Sequence, residues 1–391
     1  MRLGINLFSM DPDSKVGSAT FAFGLIRGIL QNSNADVILF VKEKYFNKYN
    51  KQFKNNNIRI ISIKDNILKK SVRLFFLNLG SAFLYYNSCK FLYKDFSDII
   101  NSTCDILYTP TTVIFPLDYQ IKTVVSLHDI QHIHFPENFN RTTLRKRKVS
   151  FGITVSKCDF FHCSTNFIKQ DLIKNLNIQA NKIFVIPPGI DLEAFKFENK
   201  VNVKLDNYFL YPAQTWKHKN HLIILKALNF LKEKINLKFY FTGSDSTPYF
   251  AEIREYINKF NLQNNCKHLG YLSRTELMNY YINSKFIISA AEYEAASFPI
   301  FEAIALGKPV VASNIPSNFE FSSIFDLNLF DTQDPEGLAK LIYKICSGEI
   351  NVNKQIKKNS LAITQFDWRY ISKKFLKIIS NITAVQNNLE K

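Results

Sequence analysis

Short runs of β-branched and aromatic residues alternate with longer helical patterns, and the alternation occurs twice along the chain. Parallel strands need crossover connections, usually helices, so this pattern predicts parallel sheets built from right-handed βαβ units. The predicted strands are residues 3–8, 37–41, 58–63, 106–108, 123–127, 208–211, 238–242, 266–269, 286–289 and 309–312. A chain of 391 residues is too long for one ordinary core. The sequence therefore predicts two doubly wound α/β domains.

The join between the two halves is predicted at residues 187–189, where Pro-Pro-Gly breaks regular structure. Residues 191–206 then form a predicted linker. From Trp368 onward a helix is predicted, with one apolar face formed by Ile371, Phe375, Ile378 and Ile379. The predicted division is a first domain over residues 1–190, a second over 191–370, and a C-terminal helix over 371–391 that returns to the first domain.

The formal net charge of +17 favours anionic partners, although a lysine-rich solvated surface is the alternative. Two basic clusters stand out: Lys42, Lys44, Lys48, Lys51 and Lys54, and Arg141, Arg145, Lys146, Arg147 and Lys148. The first cluster is interleaved with Tyr45, Phe46, Tyr49 and Phe53. Basic and aromatic residues at helical spacing are typical of proteins at an anionic membrane surface. No motif of a known nucleic-acid module occurs, so no nucleic-acid partner is predicted.

The cysteines and the most apolar stretch bear on the compartment. None of the six cysteines belongs to a Cys-x-x-Cys pair, which argues against a zinc or redox motif. Scattered cysteines and an N-terminus without a secretory pattern predict a reducing cytoplasm. Residues 74–86 are too few to span a membrane. We expect them to form a core helix, with a segment that dips into a membrane surface as the alternative.

A polar loop between a predicted strand and a predicted helix carries the first candidate chemistry. The strand ends at Ser289, and Pro299 suits the first turn of a helix that stops at Gly307. The helix N-terminus is thus expected at the carboxyl edge of a parallel sheet, where its N–H groups favour phosphate or sugar hydroxyls. Glu294 and Glu302 are expected to face this crevice; the alternative is two solvated surface glutamates.

Residues 294–302 resemble the Glu-Gly-x-Gly-x-Pro…Glu-Ala motif of retaining glycosyltransferases of family 4, which have the GT-B fold. Seven residues separate the two glutamates here, as in the family. Other segments similar to family elements occur before and after this motif, in the same order as in the family: residues 188–195, 270–277 and 307–314. The resemblance implies two doubly wound Rossmann-like domains facing a central cleft. This sequence departs from the motif at both glycines, since residues 294–299 are Glu-Ala-Ala-Ser-Phe-Pro.

A second candidate site lies at residues 216–221, Trp-Lys-His-Lys-Asn-His, after a predicted strand. Lysines at a strand–helix junction suit a diphosphate because fixed cations offset charge on the leaving group; the alternative is ordinary surface. The segment is similar to the family's Arg-Lys-Asn element, whose two cations hold the donor diphosphate. The resemblance implies that Lys219 is one cation. His218 takes the place of the arginine as a pH-dependent cation, with Lys217 sharing its role.

The first half contains a histidine-rich segment with His128, Asp129, His132 and His134. A metal site is one hypothesis, but no further ligand pattern on a helix or hairpin accompanies these residues. Residues 126–129 are similar to the family's His-Asp element. The resemblance implies that His128 contacts the donor sugar, largely through its backbone carbonyl, and that Asp129 supports the loop. It also implies no bound metal.

Two further positions are similar to family elements. Gly17 opens a helix after the first strand, like the family's glycine-rich first loop, which approaches donor phosphate or acceptor. Residues 156–168 resemble the strand-and-serine element before the linker. Ser164 is predicted to cap the helix that follows, with a ligand contact as its second role.

The resemblance implies a retaining transfer of a hexose from a nucleotide-sugar to a saccharide or polyprenyl-linked acceptor in bacterial surface polysaccharide (lipopolysaccharide or capsule) assembly. Glu302 would accept hydrogen bonds from the ribose. Glu294, with the amides of Ser297 and Phe298, would position the sugar. No protein nucleophile is evident, so front-face attack assisted by donor phosphate is expected. The nucleotide-sugar, with GDP-mannose preferred, is the co-substrate, and no cofactor is expected.

The sequence also fits other hypotheses. The replaced motif glycines and His218 favour a nucleotide-sugar-binding protein without transfer activity. The net charge alone would suit a nucleic-acid-binding protein, and a GT-B epimerase has no specific support. For the enzyme, the basic clusters predict peripheral attachment to the inner face of the cytoplasmic membrane.

Overall fold

The chain forms two units, which we describe separately. The computed structural model describes residues 1–14, 16–32, 35–53, 58–196 and 207–389, with the side chains of residues 196 and 385–389 left out. Unit 1 comprises Met1–Gly189 and Trp368–Lys391, and unit 2 comprises Ile190–Asp367. The two domain boundaries predicted from the sequence, after residues 190 and 370, lie one and three residues later than the boundaries between the two units. Lys54 and residues 197–206 of the predicted linker lie outside the described residues.

In the described part of unit 1, seven parallel strands form one sheet in the order β3-β2-β1-β4-β5-β6-β7. The strands are β1 Arg2–Asn6, β2 Asp36–Lys42, β3 Ile58–Ile63, β4 Ile106–Thr109, β5 Lys122–Ser126, β6 Phe160–Cys163 and β7 Ile183–Val185. The helices are α1 Gly17–Asn32, α2 Phe46–Gln52, α3 Ile67–Leu79, α4 Ala82–Leu92, α5 Lys94–Thr103, α6 Gln131–His134, α7 Arg141–Lys157 and α8 Asn166–Leu176. Central strands are buried on both faces, as parallel sheets covered by helices require.

In the described part of unit 2, six parallel strands form a second sheet in the order β10-β9-β8-β11-β12-β13. The helices are α9 Leu192–Lys196, α10 His221–Leu231, α11 Pro248–Lys259, α12 Arg274–Asn283, α13 Phe298–Ala305, α14 Pro316–Ser322, α15 Pro335–Ser347 and α16 Val352–Ala362. The strands are β8 Tyr208–Tyr211, β9 Lys238–Phe241, β10 Cys266–His268, β11 Ile287–Ser289, β12 Val310–Ser313 and β13 Asn328–Phe330. Stacked rings of Phe209, Phe239 and Phe286 lie in its core.

The last helix, α17 Trp368–Leu389, belongs to unit 1 and packs against α1. Two glycines one turn apart on α1 make room for it. A Cβ built on Gly24 would lie 2.1 Å from the Trp368 ring, and one on Gly28 would lie 2.5 Å from the Trp368 carbonyl oxygen. The predicted apolar face is buried at Ile371, Phe375 and Ile379, whereas Ile378 is half-buried.

The fold class predicted from the alternating pattern is confirmed, and the two doubly wound sheets follow the expected parallel topology. Sequence analysis did not identify β7 and β13 as strands. Each has three residues and lies at an outer edge of its sheet. Ser164 was predicted to cap the following helix, but the side chain of Thr165 caps α8 by accepting from the Ile168 amide.

Two sequence expectations about apolar residues are wrong. Tyr49 and Phe53, expected at a membrane-facing surface with the first basic cluster, are buried in the core of unit 1. Residues 74–86, expected to form a core helix, instead span the end of α3, a turn at Gly80 and the start of α4. Phe75 and Phe83 in that stretch are 58% and 75% exposed, so the stretch is largely a surface. Among the described residues, no helix is both long and apolar enough to cross a membrane.

The fit of α17 against α1 predicts a contrast between two glycine-to-alanine substitutions. Gly24→Ala should destabilise unit 1 by about 1–3 kcal/mol because its methyl group overlaps the rigid Trp368 ring. Gly152→Ala, on α7 with open space around its Cβ, should stabilise by about 0.5–1 kcal/mol through helix propensity. Denaturant unfolding followed by circular dichroism measures both. Equal shifts in the two variants would contradict the packing described for Gly24.

Candidate functional site

The strand order of unit 2 reverses between β8 and β11. From β8 the chain proceeds to β9 and β10 on one side, then returns to place β11 on the other side. Because neighbouring strands are parallel, the loops after β8 and β11 leave the sheet at the same edge. Open α/β sheets bind ligands at such a reversal, outside the carboxyl ends of the strands. The two predicted donor-site segments, residues 216–221 and 294–302, begin in these two loops and continue into the first residues of α10 and of α13.

Lys219 and Glu294, both predicted site residues, form a close ion pair between these loops. Lys219 ends a single 3-10 turn, Lys217–Lys219, and the chain then passes through left-handed Asn220 with φ of 51°. The side chains of Lys219 and Glu294 are 16% and 11% exposed. Oε2 of Glu294 is buried and has no hydrogen-bond partner among the described residues. A buried polar atom without a partner costs about 1–3 kcal/mol, so this oxygen is suited to accept a hydrogen bond from a ligand.

Hydrogen bonds fix the loop that carries Glu294. The Glu292 amide donates to the His218 carbonyl oxygen at 2.8 Å, and the Ser313 hydroxyl donates to the Ala291 carbonyl at 2.6 Å. The hydroxyls of Ser289 and Ser297 are 3.1 Å apart. Sequence reasoning missed Ser289 and Ser313 as anchors, although both stand at strand ends.

The positions of the replaced motif glycines do not require left-handed backbone. Ser297 is the N-cap of α13 with φ of −92°, and Ala295 does not have a positive φ. A Cβ at either position is therefore unstrained. Ser297 is buried and Phe298 is the first residue of α13, with Pro299 in the first turn. The N-terminal end of α13 therefore lies in the connection that follows β11.

Glu302, one turn into α13, is already engaged on both carboxylate oxygens. Arg274 donates to Oε1 at 2.6 Å, and the Tyr281 hydroxyl donates to Oε2 at 2.8 Å. Burial, with the Glu302 charge as a second cause, holds the pKa of Tyr281 well above its usual value. Each carboxylate oxygen has two acceptor sites, so capacity for ribose hydroxyls remains. Arg274 and Tyr281 on α12 were not identified from sequence, because only the fold brings that helix to α13.

His218 does not provide the pH-dependent cation that the sequence predicted. The imidazole is 8% exposed and its ring lies 5.7 Å from that of Trp216. Burial, and then the positive charge of Lys219, lowers its pKa to about 3. His218 is therefore neutral at physiological pH in the ligand-free protein. Lys217 is exposed on the same turn.

His221, which ends the predicted segment 216–221 and was given no role there, is the first residue of α10 and is fully buried. Its ring lies 4.8 Å from that of Tyr211 and 5.6 Å from that of Phe241. Neither ring nitrogen has a hydrogen-bond partner among the described residues, and burial lowers its pKa to about 3. The lengths of the predicted strand and helix on either side of His221 did not indicate that its side chain is buried.

In unit 1 the strand order reverses between β1 and β4, and two predicted residues lie near that point. Gly17 begins α1 after β1, and Phe21 on α1 contacts the His128 ring at 5.7 Å. His128 Nε2 donates to the carbonyl oxygen of Pro110, which follows β4, at 2.8 Å. Because a carbonyl only accepts, this bond selects the Nε2–H tautomer. Burial lowers the pKa of His128.

The neighbours of His128 have separate partners. An Asp129 carboxylate oxygen accepts from the Gln131 amide at 3.1 Å, which supports the loop as the resemblance implied. His134 pairs with Asp171 at 2.8 Å, and His132 packs on Phe151 with its pKa lowered by burial to about 4. Across the described ranges, no three His, Cys, Asp or Glu side chains are grouped to hold a metal ion.

Comparison with known proteins gives matches to both units. Residues 17–194 match the family described as Glycosyltransferase Family 4, and residues 193–362 match the family described as Glycosyl transferases group 1. The structure of Anabaena HepE in complex with UDP and glucose superposes with a TM-score of 0.72 at 16% identity, covering 97% of this chain and 100% of that chain.

Among curated proteins, the O-antigen chain mannosyltransferase RfbU of Salmonella typhimurium is 23% identical over 49% of this chain and 52% of its own length. An Escherichia coli galactosyltransferase named for UDP-Gal and α-D-GlcNAc-diphosphoundecaprenol is 24% identical over 48% of this chain and 51% of its own length. The chain thus spans about half the length of these relatives. With a family 4 domain followed by a group 1 domain on two Rossmann-like sheets, the chain belongs to the GT-B glycosyltransferases.

Proposed function

We propose that this protein transfers a hexose from a nucleotide-sugar to a saccharide or polyprenyl-linked acceptor in bacterial surface polysaccharide assembly, with retention of configuration and without a metal. The observation that carries the proposal is the Lys219–Glu294 pair at the strand reversal of unit 2, with one Glu294 oxygen lacking a partner among the described residues. The names of the curated relatives, which concern O-antigen and diphosphoundecaprenol-linked sugars, support the acceptor class.

In this proposal the donor rearranges the ion pair. The donor diphosphate replaces Glu294 as the partner of Lys219, because a diphosphate carries more negative charge than a carboxylate. Unlike Glu294, it is also not attached to a loop of the protein. Glu294 then offers its oxygens to sugar hydroxyls and orients the donor with the amides of Ser297 and Phe298. Glu302, held by Arg274 and Tyr281, accepts from the ribose. In this proposal Lys219, Glu294 and Glu302 keep the roles that the family resemblance implied, whereas His218 supplies no second cation.

The chemistry itself needs no protein nucleophile in this proposal. The acceptor hydroxyl attacks the anomeric carbon from the leaving-group side, the sugar–phosphate bond breaks, and a donor phosphate oxygen takes the hydroxyl proton. Lys219 stabilises the charge on the departing diphosphate. His128 is neutral because burial lowers its pKa, and its ring is fixed by the Pro110 carbonyl, so we assign it to positioning the sugar through its own carbonyl.

The donor and the place of action are also proposals. A mannose donor is favoured by the name of the Salmonella relative, and GDP is the nucleotide preferred from the sequence, whereas the HepE structure holds UDP and glucose. We place the enzyme on the cytoplasmic face of the membrane, where nucleotide-sugars and polyprenyl-linked acceptors meet. The alternative, a binding protein without transfer activity, drew its support from the replaced glycines and from His218, which is neutral and supplies no second cation. It is weakened because Ala295 and Ser297 adopt ordinary backbone conformations.

Donor binding should depend on Lys219. In a thermal-shift screen of UDP-, GDP-, ADP- and dTDP-sugars, one nucleotide class should stabilise the wild type, by about 2.7 kcal/mol at a hundred times Kd. Lys219→Gln should weaken binding of that donor roughly tenfold to a hundredfold, because a charge-assisted contact is lost. Lys226→Ala, an exposed lysine on α10, is the control and should bind normally. Equal binding by Lys219→Gln and wild type would remove the diphosphate role.

Transfer should depend on Glu294 more than donor binding does. Glu294→Gln keeps the shape of the side chain but removes its charge, so we expect kcat to fall roughly a hundredfold while donor affinity changes little. Transfer or hydrolysis of the labelled donor gives kcat, and NMR of the product gives the anomeric configuration. An inverted product would refute retention. Donor binding by the wild type without turnover on any acceptor would favour the binding-protein alternative.

Donor affinity should not change through protonation of His218 between pH 6 and 8. A base whose folded-state pKa is lowered to about 3 is neutral throughout that range, so His218 adds no cation there. We expect the pH dependence of the donor Kd to be the same in His218→Asn and wild type, as measured by calorimetry. An affinity loss on raising the pH through about 6.5, absent in His218→Asn, would restore the sequence expectation.

A further inference from the structure

Two adjacent helices of unit 1 expose an unusual amount of apolar surface. Helices α3 and α4, which the structure describes in full, bear seven exposed large apolar side chains: Ile67, Leu68, Phe75, Leu79, Phe83, Leu84 and Phe91. Ile67 is 84% exposed and Phe91 is 83% exposed. No residue of α3 is buried. Elsewhere in the described chain the exposed large apolar residues are scattered. The seven residues on these two helices, which we call the α3–α4 face, form a concentration of exposed apolar side chains of the kind that marks an interaction site.

The exposed positions define one outer face. On α3 they recur from Leu68 to Phe75 and Leu79, and on α4 from Phe83 to Phe91, at intervals close to whole helical turns. The opposite sides of these helices are used within the unit, since α3 and α4 pack on each other and both pack on α7. The inner side of α4, for example, buries Tyr85 and Cys89.

Basic side chains lie on and beside these two helices. Helices α3 and α4 carry four lysines and arginines and α7 carries six, and none of the three contains Asp or Glu. Arg145 of α7 donates to the Asn78 carbonyl at 3.2 Å and lies against Gly80, which places it next to Leu79. Lys157 of α7 lies 4.7 Å from the Tyr86 ring centre on α4. Outside these helices, Asp118 pairs with Lys90 of α4 at 3.3 Å.

The combination of apolar and basic side chains selects the partner. Apolar side chains that enter the acyl boundary, with lysines and arginines beside them, match an anionic lipid surface. A second copy of the chain would bring like charges together, which opposes self-association. We propose that the α3–α4 face docks this protein onto an anionic membrane surface, with Phe75, Phe83 and Phe91 inserted among the lipids. The proposal rests on the proposed function only in that a polyprenyl-linked acceptor would lie in that membrane.

Vesicle binding tests the proposal independently of catalysis. Wild-type protein should co-sediment with vesicles of phosphatidylcholine and phosphatidylglycerol at physiological salt, and more weakly with phosphatidylcholine alone. Phe83→Asp combined with Phe91→Asp should lower the partition coefficient at least tenfold, on the order expected for two lost aromatic insertions. The matched control, Phe319→Asp with Leu361→Asp, adds the same charge at positions 64% and 73% exposed in unit 2, and should bind within about twofold of wild type.

Three outcomes would overturn the proposal. These are wild type that ignores anionic vesicles, equal binding by the two double variants, or a wild-type dimer in sedimentation that Phe83→Asp with Phe91→Asp converts to monomer. The last outcome would assign the face to contact between copies. Circular dichroism confirms that each variant is folded. Donor-induced thermal shifts on the same samples separate the two ideas, because a protein that binds vesicles but no nucleotide-sugar would refute the proposed function alone.

Discussion

Parallel hydrogen bonding, observed between every pair of neighbouring strands that the structure describes, decides where chemistry can gather in this protein. Each connection must cross over the sheet, so every strand in a unit ends at the same edge. The order reverses once in each sheet, and crossovers on both sides leave that point uncovered. In unit 2, Lys219 and Glu294 come from the two loops at the reversal. In unit 1, Gly17 and the Pro110 carbonyl held by His128 follow the strands at the equivalent point.

Periodicity in the sequence predicted the fold class and most strands because a buried parallel strand is a run of apolar residues with little ambiguity. It also placed Lys219 and Glu294 in loops at a strand edge. It could not give their pairing, because strand order is set by long-range contacts. The environment of each side chain was equally hidden. His218 lies in a Lys-rich segment yet is buried, whereas residues 74–86 are apolar yet largely exposed. Local composition predicts neither, since burial depends on which elements pack together.

The electrostatics of unit 2 separate two kinds of basic group. The His218 ring lies beside that of Trp216 and the His221 ring beside those of Tyr211 and Phe241, and burial keeps both imidazoles neutral at physiological pH. Lys219 lies beside them but retains a carboxylate as its partner. These neutral, closely packed rings form a wall beside Lys219 and lower the local dielectric response there. The attraction between Lys219 and an anion that replaces the Glu294 carboxylate is therefore stronger. The same packing explains why the wall contains histidines that offer no second cation.

The seam between α1 and α17 has a consequence for how the protein is made. Gly24 and Gly28 form a recess that Trp368 fills, yet 343 residues of chain lie between Gly24 and Trp368, and all of unit 2 is translated in that interval. During synthesis the recess on α1 therefore stays open until unit 2 has been translated, because Trp368 is not yet available to fill it. Translation order thus makes α17 the closing piece of the first unit. A nascent chain interrupted before Trp368 would present an unfilled apolar groove to chaperones and proteases.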